Sequence, residues 1–211
     1  MITAILSSGE LLSGDRFRGL LRQCTTIIAA DRGLLMLQGT GFVADVAVGD
    51  LDSLQESGLP WRDLTKEVQA YSSHKDLTDT ELAVELALGS GAGCLWLFGG
   101  GGGRMDHWLS NLRLFESSPA IGRWYTPFDI GFRLGEGLSL RLSDGRVSVF
   151  PVGLGPWQAS SQGLRWPLDQ VDFSRWHSLS NVAQTGATIE SQQGEFLVLQ
   201  DWTGELLESQ A

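Results

Sequence analysis

Over the first half of the chain, short apolar runs alternate with stretches whose apolar positions recur every three or four residues. Ile2–Leu6, Thr25–Ala30, Val43–Val48 and Cys94–Phe98 have the length of buried strands and are bounded by Gly, Asp or Ser. Asp15–Gln23, Gly33–Gln38, Thr80–Leu88 and Met105–Phe115 have helical texture and lie between or after them. That alternation predicts an α/β unit with a mainly parallel sheet and helices packed on its faces. On the last helix Met105, Trp108, Leu109, Leu112 and Phe115 form one apolar face, edged by Arg104, His107 and Asn111.

After about Arg123 the texture changes to strand-like alternation with frequent glycine. Leu138–Leu142 and Arg146–Val149 flank Ser143-Asp144-Gly145, and Asp-Gly between alternating runs predicts a hairpin. A second hairpin is predicted from Ala187–Glu190 through Ser191–Gly194 to Glu195–Leu199. Five of the eight tryptophans (Trp124, Trp157, Trp166, Trp176, Trp202) lie in this half, and Trp176 reads best as a core residue. The expected organisation is an α/β domain over residues 1–123, then an all-β sandwich over residues 124–211.

Composition narrows the function. At 211 residues and 42% apolar, the chain can bury a sizeable core. No apolar run approaches the ~18 residues of a membrane-spanning helix. The N-terminal apolar run lacks a basic flank and reads as a strand, so a signal peptide is not expected. Cys24 and Cys94 sit in strand-like runs and suggest a reducing, cytoplasmic setting. A net charge of −10 argues against nucleic acid, whose binding rests on Lys and Arg neutralising phosphate. The charge suits a polyphosphate substrate only if carboxylates hold divalent cations and the nucleotide arrives as its metal complex.

Four polar clusters follow the strands of the first half. Gly49-Asp50-Leu51-Asp52-Ser53 can turn two carboxylates toward one cation, or serve as a turn with capping acids. Asp31, after the second strand, is another acid at a strand end, or a helix cap. In His74-Lys75-Asp76-Leu77-Thr78-Asp79-Thr80-Glu81, Thr78 and Glu81 fit a capping box; Lys75, Asp76 and Asp79 crowd the same entry, either as a ligand site or as acids complementing the helix macrodipole. The glycine run 99–103 leads into Arg104, Asp106, His107 and Asn111. A strand running through glycines into a helix lets backbone N–H groups cradle phosphate. Neither a Walker loop nor a dinucleotide fingerprint is present.

Together, Ala30-Asp31-x-Gly33, Gly49–Ser53, Lys75-Asp76-x-Thr78-Asp79-x-Glu81 and Gly102-Gly103-Arg104-x-Asp106-His107-x₃-Asn111 resemble the thiamine pyrophosphokinase family. Gly163-Leu164-Arg165-Trp166-Pro167-Leu168 and Ser180-Asn181 resemble its C-terminal elements. The resemblance implies a homodimer with active sites between subunits, and Mg²⁺-dependent attack of the thiamine hydroxyl on the β-phosphorus of ATP. It places Asp50, Asp52 and Asp79 on Mg²⁺, with Asp31 close by. It places Asp76, Gly102, Gly103, Arg104, Asp106, His107 and Asn111 around the nucleotide, and Ser180 with Asn181 at the thiamine ring. Arg32 and Val182 depart from the family pattern, which has Gly and Glu there. A pterin-like alcohol as substrate, or a non-catalytic binding protein of the same fold, are the competing expectations.

Overall fold

A computed structural model describes residues 1–10, 12–72, 74, 76–100 and 104–201. It divides into two compact units, Met1–Pro127 and Phe128–Ala211.

In the first unit the elements run in chain order. They are β1 (Thr3–Leu6), α1 (Gly14–Leu21), β2 (Thr26–Ala30), a 3₁₀ segment (Asp31–Leu37), β3 (Ala44–Gly49) and α2 (Asp52–Glu56). A second 3₁₀ turn (Trp61–Leu64), β4 (Thr65–Ala70), α3 (Asp79–Gly89), β5 (Leu95–Phe98), α4 (Met105–Ser117) and β6 (Ile121–Tyr125) complete it. The strands lie in the order β6-β5-β1-β2-β3-β4, every pair parallel. Every residue of β1 and β5 is buried, as strands covered on both faces require. From α1, Phe17, Leu20 and Leu21 pack into this core, each burial contributing roughly 1.5–3 kcal/mol.

The strand order reverses beside β1. Successive strands β2, β3 and β4 build outward on one side of it, and β5 and β6 on the other. In open parallel sheets, ligands bind beyond the carboxyl ends of the strands at such a reversal. Here those ends carry Ser7 after β1 and Gly99 after β5, with Asp31 and Asp50 after the next two strands.

Some expectations need correction. The 33–38 stretch is 3₁₀ rather than α-helical, and it starts at Asp31. On α4, Met105 and Leu109 are exposed while Asn111, Leu114 and Phe115 are buried. The helix therefore turns Asn111 inward, where the glycine at position 100 leaves room for it. Cys24 and Cys94 are free thiols, and burial pushes that of Cys24 up to about 12.

The second unit contains β7 (Asp129–Leu134), β8 (Ser139–Arg141), β9 (Gly145–Val152), β10 (Gln158–Leu164), β11 (Ser178–Gln193) and β12 (Glu195–Asp201). Their order is β10-β11-β9-β12-β7, with β8 also on β11, and all pairs are antiparallel. Leu134, Val147, Val149, Leu164, Ile189 and Phe196 belong to a core cluster of this unit.

Neither expected hairpin forms. Both β8 and β9 pair with β11 in the same sense, Arg141 opposite Thr188 and Gly145 opposite Ala183. Asp144-Gly145 is thus an interruption within one edge-to-edge path along β11, held by Thr185 Oγ1 donating to Asp144 at 2.8 Å. Gly194 links β11 to β12, but β9 lies between those two strands and pairs with both. Trp176 is 63% exposed, so it is not a core residue.

Candidate active site

The first cluster forms where β2, β3 and α3 meet. Asp31 sits directly after β2 with φ 44°, a left-handed conformation that is strained for a residue with a side chain. Ser53 Oγ, on α2, donates a short hydrogen bond to Asp31 Oδ2. Gly49, the last residue of β3, faces both Asp31 and Asp79. A Cβ built on Gly49 would stand 3.0 Å from Asp79 Cγ and 3.4 Å from Asp31 Cβ. The two acids therefore converge over a residue that has no side chain to separate them.

Asp50 is half-buried and accepts the backbone N–H of Asp52 at 3.3 Å. Asp52 itself is exposed at the first position of α2, after Leu51 with φ 60°. Asp76 is exposed on the segment leading into α3. Thr78 caps that helix, its side chain accepting from Glu81 N while Glu81 accepts from Thr78 N at 2.7 Å. The cap fixes the direction in which the next residue, Asp79, leaves the helix.

The acids offer hard oxygen donors. Among the described residues no three of them are close enough together to hold a metal ion. Mg²⁺, however, takes only one or two carboxylates and completes its shell with phosphate oxygens and water. One oxygen of Asp31 is buried with no hydrogen-bond partner among the described residues, an arrangement that costs free energy unless a cation or donor arrives. The carboxylates of Asp31 and Asp79, converging over Gly49, thus fit Mg²⁺ with the rest of its shell supplied from outside the chain.

The second cluster is the glycine run. Gly99 follows β5 with φ 88°, and any Cβ there would stand 2.5 Å from the Ser7 carbonyl oxygen. Gly100 donates its N–H to Ser8 O at 3.0 Å. A Cβ on Gly100 would stand 2.1 Å from Asn111 Nδ2, which explains why a buried amide from α4 can occupy that space. Gly102 and Gly103, with Lys75 from the preceding cluster, lie outside the described residues. Arg104 pairs with Asp106 through both Nε and Nη2, at the exposed head of α4. The Arg104 guanidinium bonded to it holds the Asp106 carboxyl below its usual range. His107, next to them, is exposed and donates its backbone N–H to Asp106 at 3.0 Å.

A third polar feature lies in the second unit. Between Ser178 and Asn181 the pairing of β11 with β9 shifts register, a bulge that redirects the side chains at Leu179 and Ser180. Ser180 has φ 53°, donates its N–H to Ser148 Oγ at 3.0 Å and is exposed. Asn181 is 1% exposed and spends its amide on structure. Its Oδ1 accepts from Trp166 N and Val182 N, and its Nδ2 donates to Trp166 O at 2.7 Å and to Ser178 Oγ. Asn181 thereby holds Trp166, whose ring is exposed beside the Arg165 guanidinium.

The only non-glycine residues with left-handed φ among those described are Asp31, Leu51 and Ser180. Each lies in or beside a cluster singled out by sequence. Sequence reasoning passed over Ser7 and Thr80, whose hydroxyls meet at 2.8 Å, and gave no role to Ser53. The one available signal for Ser7 was its place just after the first apolar strand.

Residues 17–120 match the family model described as the thiamin pyrophosphokinase catalytic domain. A thiamine pyrophosphokinase of Bacillus subtilis is 37% identical over 93 residues, which cover 43% of this chain and 42% of that relative. The aligned segment thus spans less than half of the curated relative. Solved structures share the fold. A thiamin pyrophosphokinase family protein from Enterococcus faecalis superposes with a TM-score of 0.73 at 20% identity, covering 96% of this chain and 99% of that one. For the thiamine pyrophosphokinase of Bacillus subtilis the values are 0.72, 22%, 95% and 99%. For the enzyme of Candida albicans they are 0.70, 16%, 95% and 89%.

Proposed function

We propose that the chain belongs to the thiamin pyrophosphokinase family, whose catalytic-domain model matches residues 17–120, and that it transfers a pyrophosphoryl group from ATP to the hydroxyl of thiamine. The observation that carries this reading is the convergence of Asp31 and Asp79 over Gly49, beside a glycine-lined strand end at the sheet's reversal point.

The thiamine hydroxyl oxygen forms a bond to the β-phosphorus, and the bond from that phosphorus to the α–β bridging oxygen breaks. AMP leaves with the bridging oxygen, and the hydroxyl proton passes to a carboxylate or to water. Such a transfer depends on positioning and on neutralising charge spread over phosphate oxygens. Asp31 and Asp79, with Asp50 and Asp52 on the adjoining loop, would hold Mg²⁺, which would supply that neutralisation when bound with the nucleotide. Arg104, oriented by Asp106, supplies a planar donor for phosphate, and Gly99 and Gly100 offer backbone without a side chain in the way. Asp76, His107 and Asn111 flank the nucleotide in this reading, Asn111 by filling the space over Gly100.

The second unit recognises thiamine. Ser180, redirected by the bulge, meets the aminopyrimidine ring, and Asn181 supports it by anchoring Trp166. The exposed rings of Trp166 and Trp176 suit stacking on a cationic heterocycle. In the same reading the second unit is a sandwich closed around its core cluster, two chains pair so that each completes the other's site, and the enzyme works in the cytoplasm. No helix among the described residues is long and apolar enough to cross a membrane.

The test is incubation with MgATP and thiamine, with nucleotides and thiamine esters resolved by chromatography. AMP and thiamine pyrophosphate appearing together support the proposal. ADP with thiamine monophosphate contradicts attack at the β-phosphorus. Turnover of a pterin alcohol in preference to thiamine contradicts the substrate.

A further inference from the structure

Behind the two polar clusters of the first unit runs a buried contact that no motif contains. Ser7, 2% exposed, directly follows the central strand β1, and Thr80, 8% exposed, is the second residue of α3. Their hydroxyl oxygens are 2.8 Å apart. Thr80 directly follows Asp79. On its other side Ser7 is tied to the glycine run, its N–H donating to Phe98 O at 2.8 Å and its carbonyl filling the space where a Gly99 Cβ would stand. The Ser7 hydroxyl also lies 3.7 Å from the Cβ position of Gly100, the position crowded by the Asn111 amide. Ser8 extends the tie, accepting from Gly100 N at 3.0 Å and donating to Ala30 O at 3.4 Å, just before Asp31.

We propose that Ser7 and Thr80 are positioning residues whose hydroxyl pair locks the Asp79 end of α3 to the Gly99-Gly100 turn. The lock keeps one spacing between the acid and the backbone that faces phosphate. The inference rests on the pyrophosphoryl-transfer reading for its catalytic consequence, but the lock itself is a property of the fold. A buried hydroxyl pair serving only packing would tolerate loss of one member with a local response. A lock transmits the loss to the far side of Ser7. Transfer geometry is sensitive to displacements of about 1 Å, so the rate registers it.

The test compares Thr80→Val, which keeps the shape and removes the hydroxyl, with Thr80→Ser, which keeps the hydroxyl, and with Ser7→Ala. Amide resonances of the unliganded protein are followed together with kinetics. In Thr80→Val and Ser7→Ala, resonances of Asp79, Gly99 and Gly100 shift together, and Thr80→Ser restores them. The kinetic signature is a fall in kcat of about tenfold or more with a higher half-saturating Mg²⁺ concentration, while KM for thiamine stays within about twofold. Shifts confined to the first turn of α3, or a Thr80→Ser variant as impaired as Thr80→Val, overturn the proposal. Absence of turnover in the unmodified protein would strike the functional reading, whereas the resonance pattern would still decide the lock.

Discussion

The two units place polar chemistry in opposite ways. In the first, carboxylates and glycines stand at the ends of strands in one parallel sheet whose central strands are fully buried, so a rigid frame holds the charged groups. In the second, Ser180 is exposed where an antiparallel ladder breaks, and the buried amide of Asn181 holds the backbone of Trp166, whose ring is exposed. Each unit carries left-handed non-glycine backbone at the feature that matters, at Asp31 and Leu51 in one and Ser180 in the other. Under the proposed function the contrast is a division of labour. Charge stabilisation needs convergent, fixed groups; recognition of a flat cationic ring needs accessible faces.

The sharpest way to break this comparison is Asp79→Asn. Removing one of two convergent carboxylates should lower kcat on the order of a thousandfold while shifting Tm by less than about 2 °C. Normal turnover in that variant, measured by AMP release, contradicts the role of the acid pair. Next in size is Asn181→Ala, which strips partners from Trp166 and Val182 backbone groups. Denaturant unfolding should show a loss of about 2–3 kcal/mol, with the thiamine KM rising as Trp166 loosens. A loss confined to stability would remove Trp166 from recognition.

Gly100→Ala comes third. Its φ of 71° and the nearby Asn111 amide predict a destabilisation of about 1–2 kcal/mol, against a small gain for Gly122→Ala, where nothing lies within 4 Å of the new methyl. Equal effects in thermal unfolding would mean that the strand end is not tightly packed.

The smallest expected effect contrasts two acids, one in each unit. Burial raises the Asp129 carboxyl above its ordinary 3.8, helped by Asp201 across the strand pair and opposed by Arg146. A raised carboxyl contributes stability present below the ordinary value and lost as pH climbs through the raised one. For Asp45, burial acts upward too, but bonds from Lys66 and the Ile27 N–H outweigh it and lower the pKa. Its contribution is present above the ordinary value and lost as pH falls through the lowered one. The unfolding free energy measured from about pH 3 to pH 7 should therefore change in opposite senses for Asp129→Asn and Asp45→Asn, each by less than about 1 kcal/mol. Parallel changes would contradict the assigned environments.

What was legible in the sequence follows from what local pattern encodes. β1, β2, β3 and β5 are continuous apolar runs, so period and length revealed them. β4 escaped because it is an edge strand, Thr65-Lys66-Glu67-Val68-Gln69-Ala70, largely open to solvent and polar in the way that guards a sheet edge. In the second unit Asp144-Gly145 carries the composition of a hairpin turn, yet the partner of both flanking strands is β11, 29 to 51 positions further along the chain. Pairing at that distance leaves no local mark. The same holds at the site. Gly33 was recognisable within a motif, and its reason is tertiary: a Cβ there would stand 2.1 Å from Leu6 O. Arg32 beside it is exposed, so a side chain is tolerated where the family has glycine. The burial of Asn111 depends on the space above Gly100, and the contact of Ser7 with Thr80 spans 73 positions; neither is visible in spacing.

The most direct test of the division of labour crosses two variants with two readouts, thiamine binding by calorimetry and transfer by single-turnover chromatography. The account predicts that Asp79→Asn binds thiamine like the unmodified protein and fails to transfer. It predicts that Ser180→Ala binds thiamine at least about tenfold more weakly and, once saturated, transfers at nearly the normal rate. Loss of binding in Asp79→Asn, or loss of the saturated transfer rate in Ser180→Ala, would contradict it.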